Sequence, residues 1–431
     1  MKVHLISLGC PKNLVDSEVL AGLFKKTNCQ FVNKIEEADV VVLNSCAFIG
    51  DARKETKYYI NRLSKEKLKY NFKLIVTGCL PQVEKNNLLK LYPEIDAVFG
   101  VSDYRKIPSW LYLNNAEREL QISSQPDFIP DYRIPRLVST PESYVYVKIA
   151  DGCDNKCSYC LIPTIRGSYR ERPLEDIVRE VRRLVENTPK EIILVSQDTT
   201  LYGVKLYKKQ MLHKLISELS KIKNVFWIRI LYTHPAHFYD ELINEIATNQ
   251  KVCKYLDIPI QHTSDKILAA MQRHITRKEI FNLIEKLRRN IKDVVLRTTV
   301  MVGFPGETGK DFKLLLNDIR QIEFDWLGSF MFSAQKGTPA YKLFPKVERK
   351  IKKERLDAVM SLQQKITYMK NKSRIGKTYT VFVDSINFGH TEFQSPEIDG
   401  KTYFVTQPKK IIETIKVKNV VDIYDLYAEI I

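Results

Sequence analysis

Three short apolar, β-branched runs punctuate the first hundred positions: VHLISL, DVVVLNS and FKLIVTG. Each has the length of a buried strand, and a stretch of helical composition follows each one. The runs end beside Cys10, Cys46 and Cys79, which stand about one βαβ unit apart. Strands joined by crossover helices are parallel, so their carboxyl ends share one edge of the sheet, the edge where open α/β sheets bind ligands. The pattern therefore predicts that three cysteines distant in sequence meet in one crevice.

Residues 121–143 carry four prolines (Pro126, Pro130, Pro135 and Pro141) and no period, which reads as a linker or a strapping segment. Strand-like runs then alternate with amphipathic helices: YVYVKIA, EIILVSQ, WIRILY, YLDIPIQ, VLRTTVMVGF and WLGSFMFS. Six β/α units in succession predict a parallel barrel or part of one, with chemistry at the carboxyl ends of its strands. Residues 336–370 turn basic and helical. Beyond them TYTVFVDSI, TEFQSPEIDG, KTYFVTQ, ETIKVKNVVD and YDLYAEII predict a small five-stranded barrel of the OB type.

Composition narrows the class without naming a chemistry. With 431 residues, 44% hydrophobic and 28% charged, the chain is long enough for two to four domains at roughly 150 residues each, and it is not collagenous, mucin-like or mostly disordered. The opening MKVHLISLGC is too short for a signal peptide and reads better as a strand. No run of 18 or more apolar residues occurs, so no membrane helix is expected and the expected location is cytoplasmic. The 8 cysteines are too sparse for a disulfide scaffold, and their spacing points instead to metal or redox chemistry in a reducing compartment.

Cys153, Cys157 and Cys160 form C-x3-C-x2-C in DGCDNKCSYC, just past the first strand of the middle region. A cubane iron–sulfur cluster takes four thiolates, and this loop offers three, which would leave one iron open for chemistry. The competing reading is a structural zinc loop, although zinc favours paired C-x2-C knuckles and a closed set of four ligands. Cys10, Cys46 and Cys79 again supply three. Their bland alternative is three buried small hydrophobes, a common fate of free cysteine, and that is the expectation for Cys29 and Cys253.

The C-x3-C-x-aromatic-C pattern, with Tyr159 at the aromatic place and six β/α units, resembles the radical S-adenosylmethionine (SAM) superfamily. With the three N-terminal cysteines and the terminal barrel, the chain resembles the radical SAM methylthiotransferase family over essentially its whole length. SLGCPKNLVDSE, NSCAFIGDARKET and TGCLPQ match that family's N-terminal domain. DGCDNKCSYCLIPTIRGSYRERP, SQDTTLYG, DIPIQHTSDKIL and GFPGET match its radical core. Pro11-Lys12-Asn13, SQDTTLYG and SPEIDG favour the branch that acts on an aspartate of ribosomal protein S twelve over the tRNA-modifying branches. Ala47 in place of a common glycine, a histidine in LYTHPAHF, and the absence of acidic residues in AQKGTPA depart from the usual pattern.

The resemblance implies an α/β multidomain fold. It places a flavodoxin-like parallel sheet at 1–117, a Pro-rich linker at 118–138, a radical SAM partial (β/α)6 barrel at 139–368 and a small OB-like β-barrel (TRAM) at 369–431. It implies two 4Fe-4S clusters, held by Cys153/Cys157/Cys160 and by Cys10/Cys46/Cys79, that face one cavity, with SAM as cosubstrate. The first cluster would cleave SAM to a 5′-deoxyadenosyl radical that takes hydrogen from the unactivated β-carbon of an aspartate. No acid–base step could functionalise such a carbon. The second would deliver sulfur, and a second SAM the methyl group. The implied partners are ribosomal protein S twelve, free or on the small subunit, and an electron donor such as flavodoxin or ferredoxin. Two alternatives stand beside this reading: a tRNA methylthiotransferase of the same family, and a non-catalytic iron–sulfur protein that transfers electrons or binds RNA.

Other residues carry open expectations. Gly303, Gly306 and Glu307 follow the fifth core strand and would either contact SAM or simply form a turn. Tyr159, Gln197 and Gln261 are further cofactor-contact candidates, and Asp198 a cofactor or substrate contact. Arg166, Arg170 and Arg172 beside the cysteine loop would either meet an acidic group or lie solvated. His234 and His237 have i, i+3 spacing, but no carboxylate or cysteine partner is apparent in the sequence, so a metal pair is not expected.

The formal charge of +17 is uneven. Residues 336–370 hold 10 basic and 3 acidic groups, whereas 371–431 hold 8 and 8. A barrel acting as a general RNA tether should be basic, because phosphate contacts dominate such binding. The neutral barrel fits a protein-facing role, and the basic connector is the expected site of any ribosomal RNA contact.

Overall fold

The three N-terminal runs are strands of one parallel sheet in a computed structural model that describes residues 1–113 and 117–431. The sheet comprises β1 (Lys2–Ser7), β2 (Gln30–Phe31), β3 (Val40–Ser45), β4 (Lys73–Gly78), β5 (Ala97–Phe99) and β6 (Glu119–Gln121), in the order β2-β1-β3-β4-β5-β6. This is the flavodoxin-like order, whose topological switch point lies between β1 and β3. Val41, Leu43, Leu74 and Val76 face one core with Ile60 and Leu63 of the helix Gly50–Tyr70. Val40, Val42 and Ile75 face another with Val19, Leu20 and Phe24 of the helix Pro11–Lys26. A sheet covered on both faces needs apolar side chains at every position, which explains continuous runs such as VVVL in place of alternation.

This sheet belongs to the first of two units, made of Met1–Ser139, Lys148–Asn155 and Cys160–Glu180. The Pro-rich segment is a strap on that unit. Glu119–Gln121 pairs in parallel with Ala97–Phe99, an edge strand of three residues that is too short to show a period in the sequence. Further on, Phe128 and Ile134 pack on the core, and Arg136 pairs with Glu18 at 2.5 Å and with Glu180 at 3.2 Å. A two-stranded ribbon, Ala150–Asp151 against Arg170–Glu171, completes the unit.

The second unit comprises Thr140–Val147, Lys156–Tyr159 and Val181–Ile431. Its six core strands, Tyr144–Lys148 (whose last residue is counted with the first unit), Lys190–Val195, Val225–Ile230, Val252–Asp257, Val295–Val302 and Trp326–Met331, lie side by side in sequence order. The ladders joining the second to the sixth are parallel, and the first and last strands are not joined to each other, as in a partial barrel. Helices return the chain between strands. Two of them, Arg277–Asn290 and Gly309–Ile322, start with full capping boxes, Thr276 with Glu279 and Thr308 with Asp311.

The basic connector becomes the 24-residue helix Arg349–Lys372. Its buried residues fall every fourth position (Arg355, Val359, Gln363, Thr367 and Asn371), and most are polar. Gln363 and Thr367 donate to the carbonyls of Phe324 and Asp325, and Asn371 to those of Ile423 and Tyr424. The polar stripe thus satisfies strand-end and loop carbonyls, which a hydrophobic-moment reading of the sequence would miss. The last five strands, Thr378–Ser385, Phe388–Thr391, Thr402–Phe404, Ile412–Val421 and Asp425–Ile430, form a closed barrel. The second of these differs from expectation. TEFQSPEIDG is mostly turn, and the preceding Phe388–Thr391 is the strand, where a Cβ on Gly389 would lie 1.9 Å from the Phe382 carbonyl oxygen. Such close strand approach requires glycine, which in sequence reads as a turn. Among the described residues no helix is long and apolar enough to cross a membrane.

Candidate active site

In the first unit, β1, β3 and β4 are adjacent and in register, Ser7 opposite Asn44 and Ser45 opposite Gly78. Cys10, Cys46 and Cys79 leave the ends of these three strands, so the sheet brings them to one edge at the β1/β3 switch point. Cys10 is the N-cap of Pro11–Lys26, and Cys79 opens the helix Cys79–Glu84. Gly9, at φ +94°, passes so near Cys46 that an added Cβ would sit 2.8 Å from its Cβ and Sγ. Gly78, at φ +93°, has the same constraint against Asn44 and Ser45.

Buried polar side chains hold these turns. Asn13 donates to the Leu8 carbonyl at 2.6 Å, and Asn44 donates to the Asn13 carbonyl at 2.9 Å and to Ser17 Oγ at 2.8 Å. Thr56 donates to the Cys46 carbonyl at 2.8 Å, and the Leu80 amide donates to Ser45 Oγ at 3.2 Å. Two cations face the sulfurs. Burial pushes the Cys79 thiol up to about 12, with Arg166 opposing. Burial also raises Cys46, whereas at Cys10 it is outweighed by Lys12, Arg166 and two backbone amides, so that thiol is lowered. Arg166 resolves one of the open alternatives, because it is buried against Asp16 at 2.6 Å and Asp151 at 3.2 Å. Arg172 likewise pairs with Asp176 at 2.6 Å, and Arg170 lies 3.7 Å from Asp151.

The second trio lies on one loop. Within the first unit, the Cys153 amide donates to the Gly167 carbonyl at 3.1 Å, and the Ile162 amide donates to Cys160 Sγ at 3.4 Å. Within the second unit, Arg273 donates to Cys157 Sγ at 3.6 Å and to the Pro259 carbonyl at 2.6 Å. Ser158 is anchored by its amide to Met271 and by Oγ to Ala270. Tyr159 packs against a cluster containing Met271, Met301, Phe304 and Phe332. The sequence reading missed Arg273, whose only signal was a basic residue in the loop after a strand-end helix.

Of the remaining candidates, Gln197 directly follows Lys190–Val195 and its neighbour. Gln261 is buried in a left-handed conformation, φ +67°, and its side-chain Oε1 has no hydrogen-bond partner among the described residues. A left-handed backbone that presents an orphaned buried acceptor is a combination found at ligand-binding sites. Gly303 and Gly306 both have positive φ. Both oxygens of Glu307 are taken: Oε2 by the amides of Gly303, at 2.5 Å, and Phe304, at 3.0 Å, and Oε1 by Arg355 at 2.8 Å. Glu307 therefore braces the turn.

The two histidines are corrected in one respect: they do have a carboxylate partner. Asp198 leaves the second core strand beside the third, and its Oδ2 lies 2.8 Å from His237 Nδ1, while Thr200 donates to Oδ1 at 2.6 Å. Ligand atoms of Asp198, His234 and His237 come within 4.8 Å of one another. The adjacency of parallel strands would have predicted this meeting. The hydrogen bonding still argues against a metal. His234 Nδ1 accepts from the Ala236 amide at 3.2 Å, which puts the proton of the neutral ring on Nε2, the nitrogen an ion would need. Burial and nearby Arg273 push that imidazole down to about 2, so it stays neutral.

The sequence matches the Radical SAM superfamily over residues 147–319 and "Uncharacterized protein family UPF0004" over residues 2–100. It is 44% identical, over 100% of this chain and 98% of the relative, to a protein of Acetivibrio thermocellus named ribosomal protein uS12 methylthiotransferase RimO. It is 43% identical to a protein of the same name from Caldicellulosiruptor saccharolyticus, over 100% of both chains. The chain belongs to the ribosomal protein uS12 methylthiotransferase (RimO) family. Among solved structures, the radical S-adenosylmethionine methyltransferase TsrM from Kitasatospora setae, with cobalamin and a [4Fe-4S] cluster bound, covers 79% of this chain and 76% of its own at TM-score 0.57. The cobalamin-dependent radical enzyme OxsB covers 84% of this chain at TM-score 0.53. At 12% and 10% identity these two likenesses concern the fold alone.

For a RimO family member the donor sets fit the expected cofactors. Each trio offers three soft thiolate ligands beside a cation, the donor chemistry that iron–sulfur clusters select. The close pass of Gly9 under Cys46 leaves no room for a side chain there. The buried acceptor of Gln261 is a polar contact awaiting a partner.

Proposed function

We propose that this uS12 methylthiotransferase uses Cys153, Cys157 and Cys160 to hold the cluster that binds SAM, and Cys10, Cys46 and Cys79 to hold a second, sulfur-delivering cluster. Its product is an aspartate of uS12 methylthiolated at the β-carbon. When bound, these groups supply one-electron chemistry able to take hydrogen from an unactivated carbon, together with the sulfur and methyl to replace it. The observation that carries the assignment is the convergence of three strand-end cysteines at the switch point of a sheet matched by the family. Asn13, Asn44, Ser45 and Thr56 orient the N-terminal sulfurs by fixing the turns from which they project. Arg273 and Ser158 hold the Cys157 segment. Gln261 offers its free oxygen to a donor of the cosubstrate, and Gly303 and Gly306 let backbone approach it.

The protein acts in the cytoplasm with an electron donor of the flavodoxin or ferredoxin class. The neutral terminal barrel suits a protein target. Lys336, Lys342, Lys346, Arg349, Lys350, Lys353 and Lys365 in the connector are exposed, and they would meet ribosomal RNA if uS12 is modified on the particle. The test is mass spectrometry of uS12 and of tRNA nucleosides from cells expressing the wild type or Cys46→Ala. The methylthio mark should be present on uS12 with the wild type and absent with the variant. A mark found on a tRNA nucleoside instead would overturn the substrate, and a mark on uS12 from Cys46→Ala would overturn the cluster assignment.

A further inference from the structure

Arg166 is engaged through both of its terminal nitrogens at the N-terminal trio. It is 2% exposed. One terminal nitrogen donates to Asp16 Oδ2 at 2.6 Å and to Asp151 Oδ2 at 3.2 Å, and the other to Asn13 Oδ1 at 3.1 Å and to Cys79 Sγ at 3.7 Å. Lys148 donates to Asp16 and, at 3.4 Å, to Asp151, and the Tyr104 hydroxyl donates to Asp16 at 3.5 Å. Four buried charges therefore cancel: Asp16 and Asp151 against Arg166 and Lys148. Arg170 lies further off, 3.7 Å from Asp151. Every thiolate placed at the sheet edge adds negative charge to this balanced set, and within it the Arg166 guanidinium donates a side-chain N–H to sulfur, that of Cys79.

The connectivity is as informative as the charge. Asp16 and Asn13 lie on the helix that begins after Cys10. Arg166 ends the short helix Ile162–Arg166, which begins two residues after Cys160. One guanidinium thus ties the sulfur of Cys79, the helix of Cys10 and the segment leaving the second cysteine motif. A lysine could satisfy one of these partners, but not the planar fork.

We propose that Arg166 is a positioning residue that sets the reduction potential and seating of the cluster held by Cys10, Cys46 and Cys79. This rests on the cluster assignment made above. Hydrogen bonds to sulfur and nearby positive charge stabilise the more negative, reduced state of a cluster and so raise its potential. The neighbouring carboxylates act in the opposite sense.

The experiment is an EPR-monitored redox titration of the reconstituted full-length protein, following the reduced signal that does not respond to SAM, with iron content and circular dichroism as controls. Arg166→Gln should shift that midpoint to lower potential, and Asp16→Asn should shift it higher. Arg166→Lys should fall between Arg166→Gln and the wild type, and the SAM-responsive signal should stay where it was in all three. Opposite shifts from two variants that both remove a buried partner are not produced by mere loosening of the fold. Unchanged midpoints, or shifts of the same sign in Arg166→Gln and Asp16→Asn, would overturn the proposal. Should Arg166→Gln fail to fold, the signs of Asp16→Asn and Arg166→Lys still decide it. Full iron content in Cys46→Ala would instead remove the cluster assignment itself, so the two failures are distinct.

Discussion

Cys10, Cys46 and Cys79 come from three strands, and the fold of a whole sheet is spent on bringing them together. Cys153, Cys157 and Cys160 come from one loop, and local chain does the same work. Each trio has a buried arginine on one sulfur, Arg166 on Cys79 at 3.7 Å and Arg273 on Cys157 at 3.6 Å. Their surroundings differ. Arg166 is matched by Asp16 and Asp151 in direct ion pairs, whereas Arg273 donates its other bond to the Pro259 carbonyl and its Nε has no partner among the described residues. The dispersed site has hydrogen-bonded turns at its strand ends and one charge-balanced set behind them. A compact loop needs only anchors at its ends and one cation on the way.

The sharpest way to separate the trios is to remove one sulfur from each. Cys157→Ala should abolish both SAM cleavage by the reduced protein and methylthiolation of uS12. Cys46→Ala should abolish methylthiolation while leaving SAM cleavage within about twofold of wild type, read as deoxyadenosine by chromatography. Equal loss of cleavage in both variants would break the division of labour.

The next effect concerns glycine. Gly9→Ala forces a Cβ to within 2.8 Å of Cys46 at a positive φ, and should cost about 3 kcal/mol or more. Gly306→Ala meets nothing within 4 Å and should cost about 1 kcal/mol through φ alone. Thermal unfolding ranks the two, and iron analysis should show Gly9→Ala losing about half of the metal and Gly306→Ala none. Equal shifts in melting temperature would deny the close approach on which the dispersed site depends.

A smaller effect is expected from pH. In the second unit, His390 is buried between Asp384 at 2.8 Å and Glu191 at 3.0 Å, and Glu191 pairs with Arg229 at 2.6 Å. Burial alone would lower the imidazole, but Asp384 and Glu191 outweigh it and raise it to about 9. At Glu191 burial is outweighed by Arg229 and His390, and its carboxyl is lowered to about 2. A raised histidine contributes stability that is complete below its ordinary value near 6.5 and is lost as pH rises through about 9. The depressed carboxylate contributes above its ordinary 4.5 and loses that contribution as pH falls through about 2. Melting of the scaffold that carries Arg273 should therefore weaken between pH 7 and 9.5, and His390→Phe should remove that dependence. Parallel pH curves for wild type and variant would exclude the network.

The least effect should come from the connector. Replacing exposed Lys350 and Lys353 by glutamine should lower the salt slope of small-subunit binding by about two and leave SAM cleavage unchanged. A slope unaltered by the double substitution would remove the connector from the contact.

Much of this was legible in sequence because it depends on local pattern. Continuous β-branched runs announced strands covered on both faces, and the loop trio stood out by its spacing, with the family resemblance setting it apart from a zinc loop. The N-terminal trio was legible one step further, since parallel βαβ units must align their carboxyl ends. Edge strands such as Glu119–Gln121 escaped, because three half-buried residues carry no period, and Phe388–Thr391 escaped because its glycine reads as a turn.

The sequence by itself therefore determined the main strands and helices, the two cysteine motifs and the family to which the chain belongs. Only the tertiary structure decided how the buried charges pair. Arg166 with Asp16 and Asp151, Asp198 with His237, and Glu307 with Arg355 are pairs distant along the chain or set by a turn's geometry. Any of these side chains could equally have been solvated. Burial chose their partners, because an unpaired charge costs far more inside a packed protein than at its surface.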